Sequence, residues 1–253
     1  MKICPVNENS VIIYFADALT PDTPDTPEPS PETADEIARS LSIIQQEMGG
    51  CIIDVVPSYR SILVSFDLMT IGHQSFVQKL QHVLDHCRGS LAEEAEPSLI
   101  ELPVYYGPEV SLDAKVITDH TGLSFEEVIN IHASTLYRVY AIGFAPGFAY
   151  LGNTDQRIAV PRKKTPRLKV PACSVALAER QTAIYPRESP GGWQIIGRSP
   201  VNPIDYQRKN LSLFEVGAKV KFIPISKTAF LDMGGVLSQE EHSLEDQRFQ
   251  EGV

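Results

Sequence analysis

From Tyr137 onward the chain is written in short apolar runs cut by glycine and proline: YRVYAIGF, SVALA, QTAIYP, WQIIG and KVKFIPI. No run is long enough for a helix of ordinary length, and the breakers between them forbid fusing two into one. Strands at this spacing predict a β-sandwich or a barrel for the C-terminal half.

The N-terminal third has a different rhythm. A β-like run at 11–15 precedes TPDTPDTPEPSPET, residues 20–33, which is Pro-rich and acidic and reads as an extended, solvated loop. Residues 34–48 read as a helix, with Ile37, Leu41, Ile44 and Met48 at three- and four-residue steps and Gly49-Gly50 as the stop. Two strands, CIIDVVP and YRSILVSF, follow. A second amphipathic helix is expected over 73–87, then a linker, AEEAEP, and a strand at 99–104. The order β-α-β-β-α-β predicts a ferredoxin-like α+β unit. The expected organisation is an N-terminal α+β domain over 1–97, a β-barrel domain over 98–230 with a helical insertion at 111–133, and an acidic tail over 231–253.

Charge and cysteine usage exclude several classes. A formal net charge of −10 argues against a nucleic-acid binder. The two short helices of 111–133 have a helix-turn-helix outline, but the second, FEEVINIH, opens on a Ser124–Glu127 capping box and carries two glutamates and no basic residue, so phosphates would repel it. Cys4, Cys51, Cys87 and Cys173 form no CxxC pair, which predicts reduced thiols. MKICPVNENS lacks the apolar core of a signal peptide, and the chain reads as cytoplasmic.

The chemistry must sit elsewhere. In GFAPGFAYLG, residues 143–152, Gly147 and Gly152 have the frame of a phosphate-binding loop, but Asn153-Thr154 replaces the Lys that would reach the phosphates. The loop is therefore either an architectural turn or a ligand wall built from Gly143, Phe144, Pro146, Gly147, Phe148 and Tyr150. His82 and His86 share a helical face beside Cys87, without a third ligand nearby; no metal site is expected. His132 could act as a general base or as a structural hydrogen-bonder.

The charge balance reverses locally in RIAVPRKKTPRLKVP, residues 157–171, where six cations and no acid sit among three prolines. A ribbon so stiffened can present the forks of Arg157, Arg162 and Arg167 to a carboxylate or phosphate, or it can be a solvated basic strand. Further on, Gln181, Tyr185 and Ser189 can orient a polar ligand, Gly191-Gly192 lets backbone approach it, Trp193 offers a flat wall and Arg198 a second anion clamp. Their density predicts a binding cleft.

YAIGFAPGFAYLG, then PRKKTPRLKVPACSVALAERQTAIYP, then SPGGWQIIGRSP resemble the successive motifs of the KipI family, also called allophanate hydrolase subunit 1, which includes the B subunit of 5-oxoprolinase. The resemblance is strong over 137–225, good over LPVYYG and HTGLSFEEVINIH, and looser toward the N-terminus. It implies an α+β domain followed by a cyclophilin-like β-barrel, and an obligate KipA-like partner, the C subunit. With an A subunit, such complexes cleave 5-oxo-L-proline to L-glutamate using ATP, an amide (lactam) hydrolysis in which the isolated chain is expected to be inactive. Arg162, Arg167 and His132 would be its catalytic groups here, with ATP shared with partner subunits. Other branches of the family inhibit a sporulation histidine kinase or form half of a biotin-dependent urea carboxyltransferase. The resemblance also implies Gly where this chain has Cys173 and Ala183. If those glycines admit substrate, the substitutions obstruct it; if they only shape strands, they do not.

Overall fold

The computed structural model describes residues 1–15, 31–87, 98–208 and 211–237. Most of the Pro-rich segment, the AEEAEP linker and the end of the acidic tail lie outside them. The chain forms two compact units. One comprises 1–98 with 138–142 and 215–219, the other 99–137, 143–214 and 220–253. Among the described residues no helix is long and apolar enough to cross a membrane.

The first unit contains β1 (Lys2–Asn7), β2 (Ser10–Tyr14), α1 (Pro31–Met48), β3 (Ile52–Pro57), β4 (Ser61–Phe66) and α2 (His73–Cys87). The sheet order is β1-β2-β4-β3, antiparallel throughout. Period-two alternation puts Val11, Ile13 and Phe15 on the same face as Ile62, Val64 and Phe66, all fully buried. Ile37, Ile44 and Met48 of α1 and Phe76, Leu80 and Leu84 of α2 pack against them, and Phe66 stacks on Phe76 at 4.0 Å between ring centroids.

The element order differs from the expected β-α-β-β-α-β. The strand after α2, β5 (Leu99–Val104), belongs to another sheet, and β1 supplies the fourth strand instead. The physical reason is local: β1 and β2 are joined by a tight hairpin, so β1 pairs with little loop entropy to lose and covers an edge that would otherwise be open. His82 and His86 lie on α2 with rings 3.8 Å apart, and His86 Nδ1 meets the His82 carbonyl at 2.9 Å.

The second sheet has seven strands. Along the chain come β5, α3 (Ala114–Thr121), α4 (Phe125–Ser134), β6 (Leu136–Ile142), β7 (Ala149–Gly152), β8 (Arg167–Val170), β9 (Ser174–Ala178), β10 (Gln181–Ile184), β11 (Ser189–Gly191), β12 (Gln194–Arg198), β13 (Lys219–Pro224) and α5 (Lys227–Asp232). The order is β12-β9-β10-β7-β6-β13-β5, while β8 and β11 pair as a separate ribbon. Tyr105, just past β5, exchanges two backbone hydrogen bonds of 2.9 Å with Arg198 at the end of β12, so the first and last strands meet and the sheet nearly closes into a barrel. Gly197 permits this approach, because a Cβ there would fall 2.8 Å from the Tyr105 carbonyl oxygen. The α4 capping box read from Ser124 and Glu127 is formed in both directions.

Candidate functional site

The loop 143–152 is built around one turn. Phe148 N–H donates to the Ala145 carbonyl at 3.0 Å, with Pro146 at the second position and Gly147 at the third with φ +74°, a type II arrangement. Gly147 is confined as well as left-handed: a Cβ would sit 2.6 Å from Ile204. Gly143 N–H donates to the Phe148 carbonyl at 3.0 Å. Both amides are turned into the loop itself and are not available to a phosphate. The turn's product is the placement of two rings. Phe148 is buried, whereas Phe144 has φ +67° and is 66% exposed.

Phe148 is the hub of an aromatic box. Its ring meets Tyr185 edge-on at 5.2 Å, Trp193 at 5.8 Å, Tyr150 at 4.9 Å and Phe144 at 5.3 Å. These five rings line an open cavity of about 320 Å³, together with Arg162, Lys163, Pro166 and the segment 190–192. Gly191 is required by the box: a Cβ would lie 2.3 Å from the Tyr185 hydroxyl. Burial pushes that hydroxyl up to about 12, so Tyr185 stays protonated.

The basic ribbon reaches the cavity through a carboxylate that its own sequence does not contain. Asp113, just before α3, has a side chain only 1% exposed. It receives the Arg167 fork at 2.6 and 2.7 Å, Lys163 Nζ at 3.1 Å and the Ile195 amide at 2.7 Å. Burial opposes its ionisation, but the Arg167 fork, the Ile195 amide and Lys163 outweigh it and hold the carboxyl below its usual range. Two further bonds pin the ribbon, Lys163 N–H to the Gly192 carbonyl at 2.7 Å and Gln194 Nε2 to the Pro161 carbonyl at 2.9 Å. Arg162, next along, is exposed and has its guanidinium carbon 5.6 Å from the Trp193 ring centroid.

The structure thus gathers Phe144, Phe148, Tyr150, Arg162, Tyr185, Gly191, Gly192 and Trp193 around one cavity, with Gly143, Pro146 and Gly147 shaping its loop. It does not gather the others. Arg167 spends its fork on Asp113, and Arg157 is paired with Asp155 at 2.7 Å. Arg198 is buried and donates to the Val236 carbonyl at 2.9 Å. Gln181 opens β10 and Ser189 lies on β11, neither of them in the lining. His132 is fully buried, with Nδ1 2.8 Å from the Tyr106 hydroxyl, Nε2 2.9 Å from Thr182 Oγ1 and its ring stacked on Phe222. Burial lowers it to about 3, which keeps it neutral. Of the two roles open to it, these contacts match the structural hydrogen-bonder. Sequence reasoning missed Asp113 as an anchor and Lys163, Pro166 and Pro190 as lining; only the two ribbon residues carried any signal.

Cys173 and Ala183 lie outside the lining too. Cys173 has φ +63° in a turn between β8 and β9, where glycine would be unstrained. Ala183 is a fully buried strand residue paired with Ala176 and Tyr150. Cys173 thus bears on turn geometry and Ala183 on strand packing.

The model of the carboxyltransferase domain, subdomain C and D, matches residues 1–214. The B subunit of 5-oxoprolinase from Bacillus subtilis (strain 168) is 38% identical over 198 residues, covering 75% of this chain and 82% of that one. A conserved uncharacterized protein from Pyrococcus horikoshii, of solved structure, is 37% identical at a TM-score of 0.51, covering 90% of this chain and all of that one. The Kluyveromyces lactis urea carboxylase, 16% identical, shares the fold at a TM-score of 0.69 over 91% of this chain, which corresponds to 22% of the larger enzyme.

Proposed function

Because this chain belongs to the carboxyltransferase subdomain C and D family, we propose that it is the B subunit of an ATP-dependent 5-oxoprolinase, acting with an A subunit and a KipA-like C subunit on 5-oxo-L-proline. The similarity to a protein named as the B subunit of 5-oxoprolinase supports the assignment to such a complex. The observation that carries the chemistry is Arg162, a cation without an ion-pair partner among the described residues, held over Trp193 at the mouth of an aromatic box. A small flat ring with one carboxylate matches that site: the ring lies in the cavity against its aromatic walls, and the carboxylate meets the guanidinium.

The chain's own work is binding and orientation. The aromatic walls strip water from the ring, which strengthens the Arg162 contact, and the protonated Tyr185 hydroxyl is not a base. ATP would supply electrophilic activation of the lactam carbonyl, by phosphoryl transfer to its oxygen, so that water adds at that carbon and the ring C–N bond breaks with nitrogen leaving as the amine. The Gly143 and Phe148 amides are spent within the 143–152 loop, which supports a nucleotide site shared with the partner subunits.

The test is reconstitution of the three subunits with ATP and 5-oxo-L-proline, following glutamate. Arg162→Gln should lower kcat/KM by about 10- to 100-fold, the worth of one charge-assisted hydrogen bond. Unchanged turnover would remove Arg162 from the site. A second reading, one half of a biotin-dependent carboxyltransferase, is favoured by the name of the matched family model itself. A rate that responds to bicarbonate and carboxylated biotin carrier, without glutamate release, would select it.

A further inference from the structure

The three charged groups behind Arg162 do not act as three. Lys163 lines the cavity but gives its ammonium to Asp113, and Arg167 commits its whole fork to the same carboxylate. Asp113 is in turn held from below by the Ile195 amide, and its own N–H donates to the Ile195 carbonyl at 3.0 Å. Its place is therefore fixed by β12, independently of the ribbon. Two cations and one anion leave a net charge of +1 spread over a hydrogen-bonded trio, and Arg162 is left as the cation of the cavity without an acidic partner among the described residues.

We propose that Asp113 is a positioning residue that sets the anion selectivity of this cavity: by absorbing Lys163 and Arg167 it makes the site select flat ligands bearing a single carboxylate over polyanions. Were Asp113 absent, Lys163 would be released beside Arg162 in the lining with the uncompensated charge of Arg167 behind them, and the site would favour phosphates and polycarboxylates. The buried carboxylate also keeps the ribbon seated, so Arg162 is presented over Trp193 rather than free to swing. This rests on the cavity being the binding site proposed above, but not on the identity of the reaction.

Trp193 is the sole tryptophan of the chain, so its fluorescence reports binding in the full-length protein without partners. The probes are 2-furoate, a flat monoanion, and citrate, a trianion, titrated at constant ionic strength with excitation at the red edge of tryptophan absorption. Wild type should prefer 2-furoate. Asp113→Asn keeps the shape and an acceptor for the Ile195 amide while raising the trio to a charge of +2, and should raise the citrate-to-furoate affinity ratio at least about 10-fold. Lys163→Gln leaves Arg167 on Asp113, brings the trio to zero and should move the ratio the opposite way, which keeps the inference testable if Asp113→Asn does not fold. Ratios unchanged in the folded variants, or a wild-type chain whose Trp193 responds to neither probe, would overturn it. The expected ratios together with no glutamate release by the reconstituted complex would instead refute the 5-oxoprolinase assignment and leave the charge rule standing.

Discussion

Gly191→Ala is the most exacting perturbation the cavity offers. A Cβ at that position lands 2.3 Å from the Tyr185 hydroxyl oxygen, 2.8 Å from Cζ and 2.9 Å from the nearest ring edge carbon. A tyrosine at the surface would swing away at little cost. Tyr185 is 2% exposed and its ring is held edge-on by Phe148, so the methyl must displace either the ring or the β11 backbone. Overpacking of this kind costs about 1–3 kcal/mol. Tyr185→Phe deletes the oxygen that is struck first, at a cost of about 1 kcal/mol for the lost bond to the Trp193 amide. In the double variant the remaining carbon contacts still crowd the methyl, so relief is partial, and the two costs should fall short of their sum by about 1 kcal/mol. Urea unfolding followed by Trp193 fluorescence, with circular dichroism as a second probe, measures all three variants. Costs that add to within about 0.5 kcal/mol would show that the methyl and the hydroxyl never meet, and the packing account of Gly191 would be wrong.

Cys173→Gly relieves a side chain at φ +63°, a conformation costing about 1–2 kcal/mol for an L-residue, against roughly 0.5–1 kcal/mol of extra glycine chain entropy. Thermal unfolding should show a net gain of about 0.5–1 kcal/mol, and a loss would mean that the half-buried thiol contributes more by packing than the turn costs. His132 gives a pH signature. Its folded-state value of about 3 lies below its ordinary 6.5, so the unfolded chain binds the extra proton between those limits. Stability is fully present above pH 6.5 and falls below it by about 1.4 kcal/mol per pH unit, until the folded value is reached. His132→Gln, which can still bond Tyr106 and Thr182, should flatten the limb between pH 6.5 and 5; an unaltered slope would place the titration elsewhere.

What could be read in the chain beforehand divides by the range of the interaction. Helix α2 matches its expected span because Phe76, Leu80 and Leu84 recur at helical spacing and each needs only its neighbours. The turn at Pro146-Gly147 was legible for the same reason. The partner of β2 was not, because period-two alternation says which face is buried but not which strand lies alongside. The site shows the same division. Arg157, Arg162, Arg167 and Arg198 look alike as letters, yet Arg167 is claimed by an acid 54 residues away, Arg198 by a carbonyl 38 residues away and Arg157 by an acid two residues away. Of these four, only Arg162 is left to face the cavity. Asp113 stands alone in SLDAK and nothing local marks it as the anchor of a ribbon 50 residues on.

The junction at Tyr105 and Arg198 has a mechanical meaning. Neighbouring strands such as β9 and β10 are stitched through four successive residue pairs, whereas the ends of the barrel are joined through one. As a ring it has a clasp, and a clasp is where a ring opens. Fluctuations or pulling forces that would have to unzip a whole ladder elsewhere meet one backbone pair there, backed by the bonds of Ser111 and Asp113 to β12. The same Arg198 holds the Val236 carbonyl with its side chain, so the segment after α5 is tethered to the clasp and bears on whether it stays shut.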